Sequence, residues 1–228
     1  MDYLNNAYKM TELEAITERH SVRSYKNKRI EPEKIDIIKE KIDALNSEYD
    51  LNMQFVRNAG EVFSGIASRF TGWSGVPSYI ALIGRKRPEL DELCGYCGEQ
   101  LVLLAQKLGL NTCWAGIFKR KKVRLTLADD ERLVLVIAIG YGVDGGKPRR
   151  SKPVDMVTDV PEKDMPDWFR CGVTAALLAP TAMNQQKFMF SLDGDTPTAR
   201  ISDSGYFDKV DLGIAKYHFE AATGRKVK

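Results

Sequence analysis

Arg19 and Arg23 flank Ser21 in the heptad Arg19-His20-Ser21-Val22-Arg23-Ser24-Tyr25. Two guanidinium groups and a hydroxyl on alternate positions could hold a phosphate ester, through bidentate charge-assisted bonds and one neutral donor. Read alone, the heptad is more simply a charged helix end with a serine stop. Cys94-Gly-Tyr-Cys97 has the spacing of a thiol redox pair. It lies mid-chain without the βαβ context that such a fold needs, and one pair is insufficient for structural zinc. Two small residues packing near a helix start is the plainer reading. Gly140-Tyr-Gly-Val-Asp-Gly145 spells a dinucleotide-type glycine pattern after an apolar run. A nucleotide site of that kind needs a helix to open there, so that its first amides hold the pyrophosphate. Gly146, Pro148 and Pro153 exclude that helix. His20 and His218 are too far apart in sequence to argue a metal site, and none is expected.

These groups must be positioned by elements that the sequence also marks. Thr11 and Glu14 form a capping box for a short helix through about His20. Pro32 suits the first turn of a second helix with the stripe Ile35, Ile38, Ile42, Leu45. Residues 53–56 and 79–83 read as strands joined by a Gly-rich loop. A long helix is expected over about Pro88–Leu108, stopping at Gly109. Strands follow near 112–116 and 133–140, then a loop rich in Gly, Pro and basic residues over 141–153. A helix near 164–178, strands near 187–192 and 199–202, and a helix over 208–223 ending at Gly224 complete the chain. Gly98 to Gly109 and Gly213 to Gly224 have equal spacing, and the element order partly repeats. Helices and strands cluster rather than alternate, so the expected class is α+β.

The chain has 228 residues, 43% of them hydrophobic, enough for a substantial core. Lys+Arg number 34 against 31 Asp+Glu, which gives no electrostatic case for nucleic acid or a membrane. The run Lys119-Arg120-Lys121-Lys122 reads as solvated loop charge. No apolar stretch is long enough to span a membrane, the opening MDYLNNAYKM lacks an apolar signal core, and the four cysteines are too sparse for a secreted scaffold. A cytoplasmic location is the expectation.

Taken with its surroundings, the heptad resembles the RxSxR-aromatic signature of the nitroreductase flavoproteins, and the opening LEAITERHSVRSYKNKRI with its Pro-started second helix is similar throughout. Gly109-Leu-Asn-Thr-Cys-Trp-Ala-Gly116 resembles the family's segment after the long helix, where backbone amides meet the flavin ring edge. Lys147-Pro-Arg-Arg-Ser-Lys-Pro153 resembles its basic turn near the phosphate, and Ala179-Pro-Thr-Ala-Met-Asn-Gln-Gln186 its APSxxNxQPW turn. Two departures stand out. Gln186-Lys187-Phe188 replaces Gln-Pro-Trp, and the turn comes far downstream of its usual place, which here is 43–55. Family members are intertwined dimers with FMN at the interface, arginines from one subunit and the Asn turn from the other. This chain resembles both subunits fused: a first half over 1–155 and a shorter second half over 156–228 packed as one globular pseudo-dimer.

The resemblance implies FMN as cofactor. Arg23 would lie near N1 of the ring, with Arg19, Ser21, Arg150 and Lys152 nearer the phosphate and His20 among the cofactor-binding residues. Ala115 and Gly116 would meet N5, and Pro180, Thr181, Ala182, Asn184 and Gln186 would come from the second half. NAD(P)H would supply hydride, and a nitro, quinone or similar small molecule would accept it. No side chain is required as acid or base. A monomer would suffice, a homo-oligomer being also compatible. The alternatives are a flavin carrier or sensor with little turnover, and a thiol oxidoreductase using Cys94 and Cys97.

Overall fold

A computed structural model describes residues 9–64 and 71–228. The opening segment Met1–Tyr8 and residues 65–70 of the expected Gly-rich loop lie outside the described residues. The chain divides into two compact units. Among the described residues, the first comprises 9–10, 19–64, 71–90 and 101–148, and the second 11–18, 91–100 and 149–228.

The first unit is organised on a four-stranded antiparallel sheet of order β1-β2-β4-β3, where β1 is Gln54–Arg57, β2 Ser78–Arg85, β3 Asn111–Ala115 and β4 Glu131–Gly140. β2 is buried along its length except at Arg85, as expected of a central strand made of Ser-Tyr-Ile-Ala-Leu-Ile-Gly. Helix α2 (Pro32–Tyr49) begins on Pro32, whose fixed φ suits the first turn, and buries Ile35, Ile38, Ile42 and Leu45. Each such side chain contributes about 1.5–3 kcal/mol by leaving water. Helix α3 (Leu90–Lys107) stops as its sequence implies. Gly109 takes φ +70°, its amide donates to the Gln106 carbonyl, and Leu110 donates to Ala105, a Schellman ending. Behind the sheet Val22, Tyr25, Phe63, Tyr79, Ala115 and Val136 join one apolar cluster.

The second unit holds α1 (Glu12–Glu18), residues 91–100 of α3, α4 (Asp167–Ala176), the hairpin of β5 (Phe188–Asp193) with β6 (Thr196–Ile201), and α5 (Asp208–Thr223). The capping box is present: Glu14 accepts the Thr11 amide at 2.7 Å, and Thr11 Oγ1 accepts the Glu14 amide at 3.2 Å. Phe190 stacks on Phe219 at 4.9 Å between centroids, and Phe169 meets Phe219 edge-on at 5.5 Å. Residues 91–100 and α5 touch through glycines. A Cβ on Gly95 would collide with the Val210 carbonyl, and one on Gly213 with that of Glu92. Glu99 and His218 are both fully buried and bonded at 2.9 Å; the His218 Nδ1–H donates to the Ala175 carbonyl. No described helix is long and apolar enough to cross a membrane. The architecture is α+β with antiparallel pairing, as the element order implied.

Candidate functional site

α1 ends at Glu18, and residues 19–25 run extended along the edge of the first unit's sheet. Ser21 forms a parallel bridge with Thr112 of β3, and the Val22 amide donates to the Thr112 carbonyl at 3.0 Å. Tyr25 bridges Gly142, the Lys26 amide donates to the Tyr141 carbonyl, and the Val143 amide donates to Ser24. The glycine-rich segment after β4 is therefore a support for the heptad, and no helix starts on it. Gly146 permits that closeness, since a Cβ there would stand 2.7 Å from the Cβ of His20. On the other flank Tyr25 donates to the Ser74 carbonyl, Ser74 donates to the Arg23 carbonyl, and the Ser24 and Ser74 hydroxyls pair at 2.7 Å.

This strapping fixes which side chains face where. Arg19, Val22 and Tyr25 are buried, whereas Ser21 is half-buried and Arg23 exposed. The Tyr25 hydroxyl donates to the Ala138 carbonyl. His20 donates from Nδ1 to the Arg19 carbonyl at 2.8 Å, a local commitment of its ring. The Cys113 thiol is buried beside Ser21. Burial pushes its pKa up, against the Arg23 charge, a hydrogen bond with Ser21 and the Arg19 charge. The Arg23 guanidinium also lies 6.0 Å from the Trp73 ring centroid. Because the Thr112 carbonyl faces away from β4 to take Val22, alternation along the strand turns Trp114 outward too, and turns Cys113 and Ala115 toward β4. Gly116 follows the strand end, half-buried.

A second cluster forms within the second unit, where the basic turn and the 179–186 segment meet. Asn184 donates to the Arg150 carbonyl at 2.6 Å, the Lys152 amide donates to Gln186 Oε1 at 2.8 Å, and Lys152 Nζ donates to the Gln186 carbonyl at 3.0 Å. Gln186 is buried, donates Nε2–H to the Leu177 carbonyl, and donates its backbone amide to Thr181 Oγ1. Met183, Asn184 and Gln186 all take positive φ, at 52°, 55° and 48°. Three left-handed non-glycine residues so close together store strain of about 1–3 kcal/mol each, which surrounding bonds must hold. Pro180 is buried, Thr181 and Ala182 half-buried, and Met183 stands 91% exposed.

Sequence reading missed what anchors this turn. Asp211 of α5 accepts the Ala182 amide on both carboxylate oxygens, at 2.9 and 3.1 Å. Burial raises its pKa to about 7, the Ala182 bond opposing and Asp208 adding. An aspartate inside the run Val210-Asp-Leu-Gly-Ile-Ala215 was the available signal. Cys94 and Cys97 are fully buried inside α3, which removes the exposed thiol pair that a redox role requires. Among the described residues no group of His, Cys, Asp or Glu is arranged to hold a metal.

Residues 12–223 match the profile of a family described as "Putative TM nitroreductase". Among solved structures, a "putative nitroreductase" from Thermotoga maritima shares 23% identity over 95% of this chain and 87% of its own, with a TM-score of 0.68. A nitroreductase family protein from Streptococcus pneumoniae shares 21% over 64% of this chain and 97% of its own, TM-score 0.52. A "putative nitroreductase in complex with FMN" from Exiguobacterium sibiricum shares 17% over 63% and 94%, TM-score 0.50. At these identities the likeness is one of fold. No curated protein matches.

Proposed function

The chain belongs to the nitroreductase family, and from that premise we propose that it is an FMN-binding oxidoreductase that passes two electrons from NAD(P)H to a small nitro, quinone or similar acceptor. The observation that supports the reading is the strapping of residues 19–25 along the edge of β3, with Ser21 bridged to Thr112 and the Val22 amide bonded to the Thr112 carbonyl, a few residues before Gly116.

The donor chemistry fits FMN. An exposed guanidinium at Arg23 and a half-buried hydroxyl at Ser21 can reach a phosphate ester or an anionic ring, while buried Arg19 adds positive potential behind them. Bound FMN would supply the hydride chemistry, and the protein binds, orients and tunes it. Arg23 would stabilise negative charge on the reduced ring. Gly116 is the better backbone donor to the ring edge, because β4 engages the neighbouring Ala115. His20, committed through Nδ1, orients the Arg19 carbonyl rather than the ligand. Arg150, Lys152, Pro180, Thr181, Ala182, Asn184 and Gln186 are assigned to FMN on the family resemblance; Gln186, whose amide, carbonyl and side chain are all bonded internally, acts by holding the turn. The neighbour that was solved with FMN supports the cofactor assignment.

The test is a comparison of two ligands by titration of flavin fluorescence. FMN should bind more tightly than riboflavin, which lacks the phosphate. Equal affinities would remove the proposed role of the arginines.

A further inference from the structure

The run Lys119-Arg120-Lys121-Lys122 reads in sequence as solvated charge, and two of its members are indeed spent locally. Arg120 donates to the Leu133 and Val134 carbonyls, and Lys119 to the Ser64 hydroxyl. The others, with Arg124, line a cleft of about 330 Å³ in the first unit, together with Asn58, Ala59, Gly60, Glu61, Tyr79 and Val123. That volume is at the lower end of small-molecule sites. Lys121 and Arg124 have no side-chain hydrogen bond or ion pair among the described residues. Lys122 pairs with the cleft's acidic residue, Glu61, at 2.7 Å.

Tyr79 supplies an independent observation. It is buried, 1% exposed, and its hydroxyl oxygen accepts the Arg124 amide at 3.1 Å. The hydroxyl proton has no acceptor among the described residues. Burial raises the phenol's pKa, the Arg124 amide and charge opposing, so it stays a donor at neutral pH. A buried hydroxyl with a proton to give, beside uncompensated ammonium and guanidinium groups, calls for an anion with several acceptor oxygens.

We infer that this cleft binds the phosphate groups of the nicotinamide reductant, with Lys121 and Arg124 as charge partners and the Tyr79 hydroxyl as donor. The choice of reductant rests on the proposed function; the phosphate chemistry does not. Lys121 lies five positions after Gly116, roughly 17 Å when fully extended, so ring-edge and cleft belong to one stretch of chain. Val123 and Phe118 pack on the same apolar cluster as Ala115, which ties the cleft wall to β3.

The experiment is calorimetric titration of the full chain with pyrophosphate, NADPH and NADH. FMN binding is read separately by visible absorbance, and the fold of each variant by circular dichroism. Wild type should bind pyrophosphate and a nicotinamide nucleotide. The double variant Lys121→Ala, Arg124→Ala should weaken both by about tenfold or more while FMN binding is unchanged. Glu61→Gln, which removes a competing carboxylate, should tighten both, a gain that damage to the fold would not produce. A preference for NADPH over NADH would place the extra phosphate in the cleft, and equal binding would place the shared pyrophosphate there. Pyrophosphate that fails to bind at millimolar concentration, or binds the double variant as well as wild type, overturns the site. Loss of FMN binding in wild type with pyrophosphate binding intact would sink the flavin reading and leave the phosphate site standing.

Discussion

At the scale of single residues, Arg23 and Asp211 carry separable consequences. Arg23 is exposed beside Ser21 and the edge of β3, so Arg23→Ala should weaken FMN binding by about 1.5–3 kcal/mol, the worth of a hydrogen bond to a charged group. Titration of the variant with FMN and riboflavin should show similar losses for both, because the ring is common to them; a loss for FMN alone would place Arg23 at the phosphate instead. Asp211 is a stability matter. With its pKa pushed up to about 7 against an ordinary 3.8, the folded chain keeps this proton from about pH 4 to 7, where the unfolded chain has released it. The folded state binds more protons there, so stability falls as pH rises through that window. Asp211→Asn keeps an oxygen for the Ala182 amide and removes the charge. Its urea midpoint should exceed that of wild type more at pH 8 than at pH 5, and a pH-independent difference would contradict the assignment.

At the scale of elements, much was legible because local signals agreed. Pro32, Gly109, Gly224 and the Thr11–Glu14 box end or begin helices within a residue or two of where the structure has them, since each acts through backbone geometry within a few positions. The heptad's partners were not legible. Nothing in residues 19–25 says that their amides and carbonyls will meet Thr112, Tyr141 and Ser74, because strand-edge pairing is long-range. The joining of α1 and residues 91–100 with the later part of the chain was hidden for the same reason. Gly213 shows how such packing constrains sequence. A methyl there meets the Glu92 carbonyl and, at 2.8 Å, the Tyr96 amide, backbone that cannot rotate away. Gly213→Ala should therefore lose about 1–3 kcal/mol of stability in urea unfolding, despite the better helix propensity of alanine. Unchanged or increased stability would show that α5 can shift cheaply.

At the scale of the whole molecule, motif order carried the family, which the match over residues 12–223 bears out. The arginine heptad occurs once in the chain, so we expect one FMN per chain; flavin released by heat, measured against protein by amino-acid analysis, should give a ratio near one. A ratio near two would require a second site that no second heptad explains. What the protein does with that flavin is read most directly from its visible spectrum under anaerobic conditions. Protein loaded with FMN should show the bands of oxidised flavin, lose them on addition of NADH or NADPH, and regain them when a quinone or nitro compound is admitted. Flavin bands that neither nicotinamide nucleotide bleaches, while dithionite does, would contradict the account and leave a flavin-binding protein without the oxidoreductase activity proposed.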